Sequence, residues 1–174
     1  MRTITLTAAL ILAATSVLAQ SAAEKSGINS LVGAAPKTED FVKEVSMSDM
    51  YEIETSRLAL ERADAATKTF AQQMMQDHQK TTSELKQLLD SGKVKAAATS
   101  TMSEDQNEAL GKLKELQGAE FTDEYRDNQI DAHEDAVDIF GRYADSGDNP
   151  DLKAWAAKTL PVLKHHLEMA RALK

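Results

Sequence analysis

Apolar side chains recur at steps of three and four residues along most of the chain after residue 38, the signature of helices that each bury one stripe. Thr38 reads as the cap of a first helix, with Glu39 and Asp40 in the first turn, where the helix dipole favours carboxylates. That helix is expected to run to about Ala63. Asp64 then caps a second, which carries Phe70, Ala71, Met74, Leu85 and Leu88 on one face until Ser91-Gly92 stops it. Lys93 to Thr101 form an Ala/Thr-rich connector, and Ser103-Glu104-Asp105-Gln106 matches a capping box that starts a short third helix ending at Gly118. Thr122 opens the fourth, whose Tyr125, Ile130, Val137 and Phe140 keep the period to Ser146-Gly147. Asn149-Pro150 begins the fifth, with Leu152, Trp155, Ala156, Leu163, Leu167 and Ala170 on its buried stripe and a kink expected at Pro161.

Four helices of about two dozen residues, each about 36 Å long, suit an all-α, ferritin-like four-helix bundle. If the second and fourth helices are parallel, Gly92 to Glu120 must travel back along the bundle, giving one long crossover that contains a short extra helix. Composition agrees: only seven Gly and three Pro in 174 residues disfavour a turn-rich β fold, and 42% hydrophobic residues suffice for a core.

Before the helices, Met1-Arg2-Thr3 gives one positive charge, Ile4 to Leu18 is mostly apolar, and Val17-Leu18-Ala19 has the small-residue pattern that signal peptidase reads. Residues 1–19 are therefore expected to be a signal peptide, 20–37 a loose leader and 38–174 the bundle domain. Removing 19 residues and the single Arg among them leaves 155 residues at a formal charge of −9. The expected location is periplasmic or secreted, with outer-membrane association as a variant of it. The apolar run is too short for an ordinary span, so no transmembrane segment is expected in the mature chain. An excess of 28 acidic over 20 basic residues argues against nucleic acid as a partner and leaves an envelope protein partner open. With no Cys, thiol catalysis, disulfides and thiolate metal sites are excluded.

The stripes also carry polar residues. The second helix gives Phe70, Met74, His78, Thr81, Leu85 and Leu88; the fourth, Ile130, His133, Val137 and Phe140; the fifth, Leu163, His166 or Leu167, and Ala170. In the first, the walk Phe41, Val45, Ser48, Glu52, Ser56, Ala59 and Ala63 puts Glu52 inside. Counted from the hairpin turns, Glu52 and His78 differ in height by about 3 Å, and His133 and His166 by about 4.5 Å. Glu52, His78, His133 and His166 thus fall near one level. Such a set suits a divalent transition metal, Zn, Cu, Fe, Ni or Mn. The competing reading is a group of satisfied core polar residues that fix helix register. The di-iron pattern of Glu-x-x-His pairs is missing, because Met75, Ile130, Val162 and Leu163 stand three residues before the histidines, so ferroxidase chemistry is disfavoured. Asp77, Asp131 and Glu134 are expected to face solvent or to support the ligands, and Met74 and Met75 to fill core. No nucleophile-elbow pattern supports a hydrolase, and the chain is read as non-enzymatic.

Asp40-Phe41, Glu52-Ile53 with Leu58-Ala59, Phe70-Ala71 with Met75 and Asp77-His78, Leu85, Phe121 with Tyr125, His133 with Ala136-Val137, and Leu160-Pro161 with His166-Leu167 form an ordered set. In these residues, from about Thr38 to Leu173, the chain resembles the domain of unknown function 4142 family of exported bacterial ferritin-like helical proteins, often labelled outer membrane proteins. The resemblance implies the bundle and export, and its recurrent polar positions fall on Glu52, His78, His133 and His166. It implies no activity. The function expected is metal or small-ligand binding at the Glu/His cluster, in envelope stress or metal homeostasis. The alternative is a structural or interaction module.

Overall fold

The computed structural model describes Ser30 and residues 33–173; the expected signal peptide and most of the leader lie outside the described residues. Five helices follow in order: α1 (Thr38–Arg62), α2 (Ala65–Asp90), α3 (Glu104–Glu115), α4 (Gly118–Ser146) and α5 (Pro150–Ala172). No strand occurs among the described residues, and none of their helices is long and apolar enough to cross a membrane. The fold is all-α.

Local chemistry sets three of the starts. Asp64 accepts the N–H groups of Ala66 and Thr67 at 2.8 and 3.0 Å and the Thr67 hydroxyl at 2.9 Å, so a single side chain separates α1 from α2. Ser103 and Gln106 form the expected capping box of α3. Asn149 Oδ1 accepts from Leu152 N at 3.0 Å, with Pro150 at the first helical position of α5.

Two expected caps are corrected. Lys37 occupies the N-cap of α1 without a side-chain bond, and Thr38 is already helical and buried. Its hydroxyl bonds Tyr143 Oη at 2.6 Å and Asp148 Oδ1 at 2.5 Å, fastening the start of α1 to the end of α4. Likewise α3 ends at Glu115 and α4 begins at Gly118, not at Thr122. Gly118 takes φ +57, a left-handed conformation open to glycine, and lets the chain re-enter a helix at once. Thr122 then packs inside the bundle beside fully buried Phe121. Helix α5 continues through Pro161. The carbonyl deprived of its donor belongs to Ala157, which is exposed and can bond water.

Contacts between named residues give the topology. Phe41 stacks on Tyr143, and Ser56 bonds Tyr125 Oη at 2.9 Å, so α1 and α4 are antiparallel. Glu84 accepts from Trp155 Nε1 at 2.9 Å, and Asp77 bonds His166, so α2 and α5 are antiparallel as well. Phe70 meets Tyr125 and His78 meets His133, which makes the diagonal pair α2 and α4 parallel. The crossover therefore runs back along the molecule, as expected. It starts beside the α4–α5 turn, where Asn149 Nδ2 donates to Lys93 O at 2.9 Å, and reaches the α1–α2 turn, where Arg62 Nη1 donates to the carbonyls of Leu113, Lys114 and Leu116.

The apolar core is split in two. One cluster, with Phe41, Leu85, Phe140, Tyr143, Trp155 and Leu163, fills the end near the α4–α5 turn. The other, with Ala59, Phe70, Met74, Leu113, Phe121 and Tyr125, fills the end near the α1–α2 turn. A polar layer lies between them.

Candidate metal centre

Each of the helices α2, α4 and α5 delivers one imidazole to that layer. His78, His133 and His166 are 3%, 1% and 2% exposed, as sealed as the apolar side chains around them. Their ring centroids form a near-equilateral triangle with sides of 5.6, 5.7 and 5.4 Å. One nitrogen of each ring lies within 4.8 Å of one nitrogen of each of the other two. The sequence estimate left His133 and His166 about a turn apart, and their rings are neighbours all the same.

Every ring is held by its other nitrogen. His78 Nδ1 lies 2.8 Å from Asp49 Oδ1, and Asp49 Oδ2 in turn accepts the Thr82 hydroxyl at 2.9 Å. His133 Nδ1 lies 2.8 Å from the backbone carbonyl of Gln129, one helical turn earlier. His166 Nε2 lies 2.9 Å from Asp77 Oδ2, and Gln73 donates to the same carboxylate oxygen at 2.6 Å. A carbonyl or carboxylate oxygen can only accept, so each of these nitrogens carries the proton. In the neutral ring the second nitrogen, His78 Nε2, His133 Nε2 or His166 Nδ1, is then a bare lone pair, and each of these three atoms is buried with no hydrogen-bond partner. Such carboxylate and carbonyl partners are what metal-bound histidines use to fix their tautomer and orientation.

Glu52 is 1% exposed and both its carboxylate oxygens lack a hydrogen-bond partner. It lies outside the set of three mutually close donors. Burial pushes its carboxyl up to about 7, against the pull of His78 and the Gln129 amide, while Asp49 adds to the rise. Burial and the nearby His78 push His133 down to about 3, and burial lowers His166 despite its bond to Asp77. For His78, burial opposes the charge, but the bond to Asp49 and the negative charges of Asp49, Glu52 and Asp77 prevail, and its pKa is raised. At neutral pH two rings therefore stand ready as ligands, while a proton competes for the third.

Other residues singled out in the sequence fall elsewhere. His165 is exposed and pairs loosely with Glu168 at 3.9 Å. Asp131 is exposed, Glu134 pairs with Arg171, and Met74 is packed in the apolar cluster. Asp77 supports His166 rather than its neighbour His78. Asp49 and Gln129 were not among the sequence candidates, yet both lie on the same stripes: Val45, Asp49, Glu52 is as regular a walk as Val45, Ser48, Glu52, and Tyr125, Gln129, His133 steps by four.

Three imidazoles and a carboxylate are the donor set of borderline divalent ions such as Zn, Cu, Ni, Mn and Fe. Ligand nitrogens sit about 2.0–2.1 Å from zinc. No curated protein and no solved structure matches the chain. The family model described as a domain of unknown function (DUF4142) matches residues 19–173, the whole bundle included, and the chain belongs to that family.

Proposed function

We propose that this protein binds a divalent first-row transition metal at His78, His133 and His166, with Glu52 as a further ligand or charge-balancing group. The observation that carries this reading is the trio of unpartnered imidazole nitrogens, each left bare by a hydrogen bond on the far side of its ring. Burying three bare lone pairs without a partner is unfavourable, and one cation would satisfy all three. With the expected signal peptide, the protein would be exported to the periplasm and hold the metal there, in metal homeostasis or envelope stress. Binding rather than turnover is its proposed role. Ferroxidase chemistry has no Glu-x-x-His pair to support it.

One observation favours the rival reading, a register device: His78 sits between Asp49 and Glu52 with its pKa raised, so an imidazolium could neutralise the layer without any metal. Thermal unfolding of mature protein carrying no His tag separates the two. A metal at a hundred times its Kd stabilises the native state by about 2.7 kcal/mol, several degrees for a domain of this size. The expected result is such a rise with at least one of Zn, Cu, Ni, Mn or Fe at neutral pH, abolished in His133→Leu and weakening on acidification as a proton competes for His78. No rise with any of the five metals would leave the register device standing.

A further inference from the structure

We infer that the groove between α1, the crossover and α4 is the entry path of the metal, a passage selective for small hydrated cations that opens onto His78. The inference rests on the metal-binding reading above and adds to it a route and a charge selectivity. Two observations support it.

First, the groove reaches the centre. A cavity of about 1150 Å³ runs between these elements, and both Asp49 and His78 line it. His78 is 3% exposed and keeps Nε2 without a partner, so the passage reaches a ring that carries a buried, unsatisfied ligand atom. Second, the walls have one dominant sign. Eight carboxylates line the cavity against two cationic side chains, Lys43 and Arg142, and Arg142 already bonds Asp138 at 2.9 Å. The carboxylates come from three separate parts of the chain: α1, the start of α3 and one face of α4, where Asp131, Asp135 and Asp138 lie a turn apart. A cleft of one sign with low-dielectric walls focuses field lines and concentrates counter-ions.

The groove also explains how a layer sealed by two apolar clusters could be loaded without unfolding. Asp49 stands at its inner end with one oxygen on His78 Nδ1 and the other on Thr82, so the last carboxylate of the path is also the one that orients the first ligand.

The test is stopped-flow binding of Co(II), followed by its visible absorption, to the mature protein at low ionic strength. In the double variant Asp131→Asn/Asp135→Asn the association rate should fall about tenfold, with a much smaller change in Kd because no proposed ligand is altered. The charge-matched control Glu61→Gln/Glu168→Gln, which changes exposed residues outside the groove, should stay within about twofold of the unmodified protein. Asp105→Asn, at the crossover wall, should slow association as well and serves if the double variant does not fold. Equal rates in groove variants and control, with Co(II) still bound, would overturn the path and leave the centre intact. Absence of any Co(II) spectrum in the unmodified protein would overturn the centre and the path together.

Discussion

A histidine in a helix core is defined by what its second nitrogen touches, and here Asp49, Gln129 and Asp77 make that choice for His78, His133 and His166. Asp49→Asn should therefore lower metal affinity by about 10- to 100-fold while every ligand remains, measured by competition with a chromophoric chelator. Glu52 makes a separate prediction about pH. Its carboxyl stands at about 7 in the fold against an ordinary value of 4.5, so between these the folded chain keeps a proton that the unfolded chain has lost. Its contribution to stability is most favourable below about pH 4.5 and is lost as pH rises to about 7. Glu52→Gln should raise the stability of the chelator-treated protein by about 1–3 kcal/mol at pH 8 and by much less at pH 5. Equal effects at the two pH values in urea unfolding would refute it. His133 has the opposite sign: its pKa of about 3 gives a contribution that is full above about pH 6.5 and fades on acidification. The four stripe residues were legible in the sequence because helical period alone puts them inside. Asp49 and Gln129 were not, because a three-or-four step leaves two equally regular walks, and only packing of a third helix against α1 decides that both faces are buried.

Helix boundaries were legible where a side chain caps its own backbone and obscure where it does something else. Asp64, Ser103 and Asn149 accept from N–H groups two or three residues ahead, a relation written in the sequence. Thr38 and Thr122 have the right chemistry for caps, but Thr38 is the first and Thr122 the fifth residue of its helix, and both are buried. Asp64→Ala should cost about 1 kcal/mol, because it frees two N–H groups at the start of α2, and equilibrium denaturation checks this. The anchoring of the crossover had no local signal at all, since Arg62 meets three carbonyls at the far end of α3. Arg62→Ala should leave the global transition about 1–2 kcal/mol lower and speed amide exchange in Glu104–Glu115, with the four long helices unchanged.

At the scale of the molecule, two hairpins, α1–α2 and α4–α5, pack through two apolar clusters divided by the polar layer. The overall architecture was legible because four amphipathic helices of similar length with one long connector admit few arrangements. The division of the core was not, because period shows that a residue is inside and not what it meets there. The three histidines come from both hairpins, one from the first and two from the second. A bound ion would therefore join the hairpins, and hydrogen exchange should slow around His78 and His166 together on loading, by more than in Glu104–Glu115. The seam between α2 and α5 has a further consequence. Its cross-helix bonds are Asp77 to His166 and Glu84 to Trp155 and Lys158, and Asp77 and Glu84 stand seven residues apart on one edge of α2. Water can replace polar bonds of this kind far more readily than it can enter an apolar cluster. The bundle should accordingly breathe like a book hinged along α1 and α4, its pages parting first at α2 and α5.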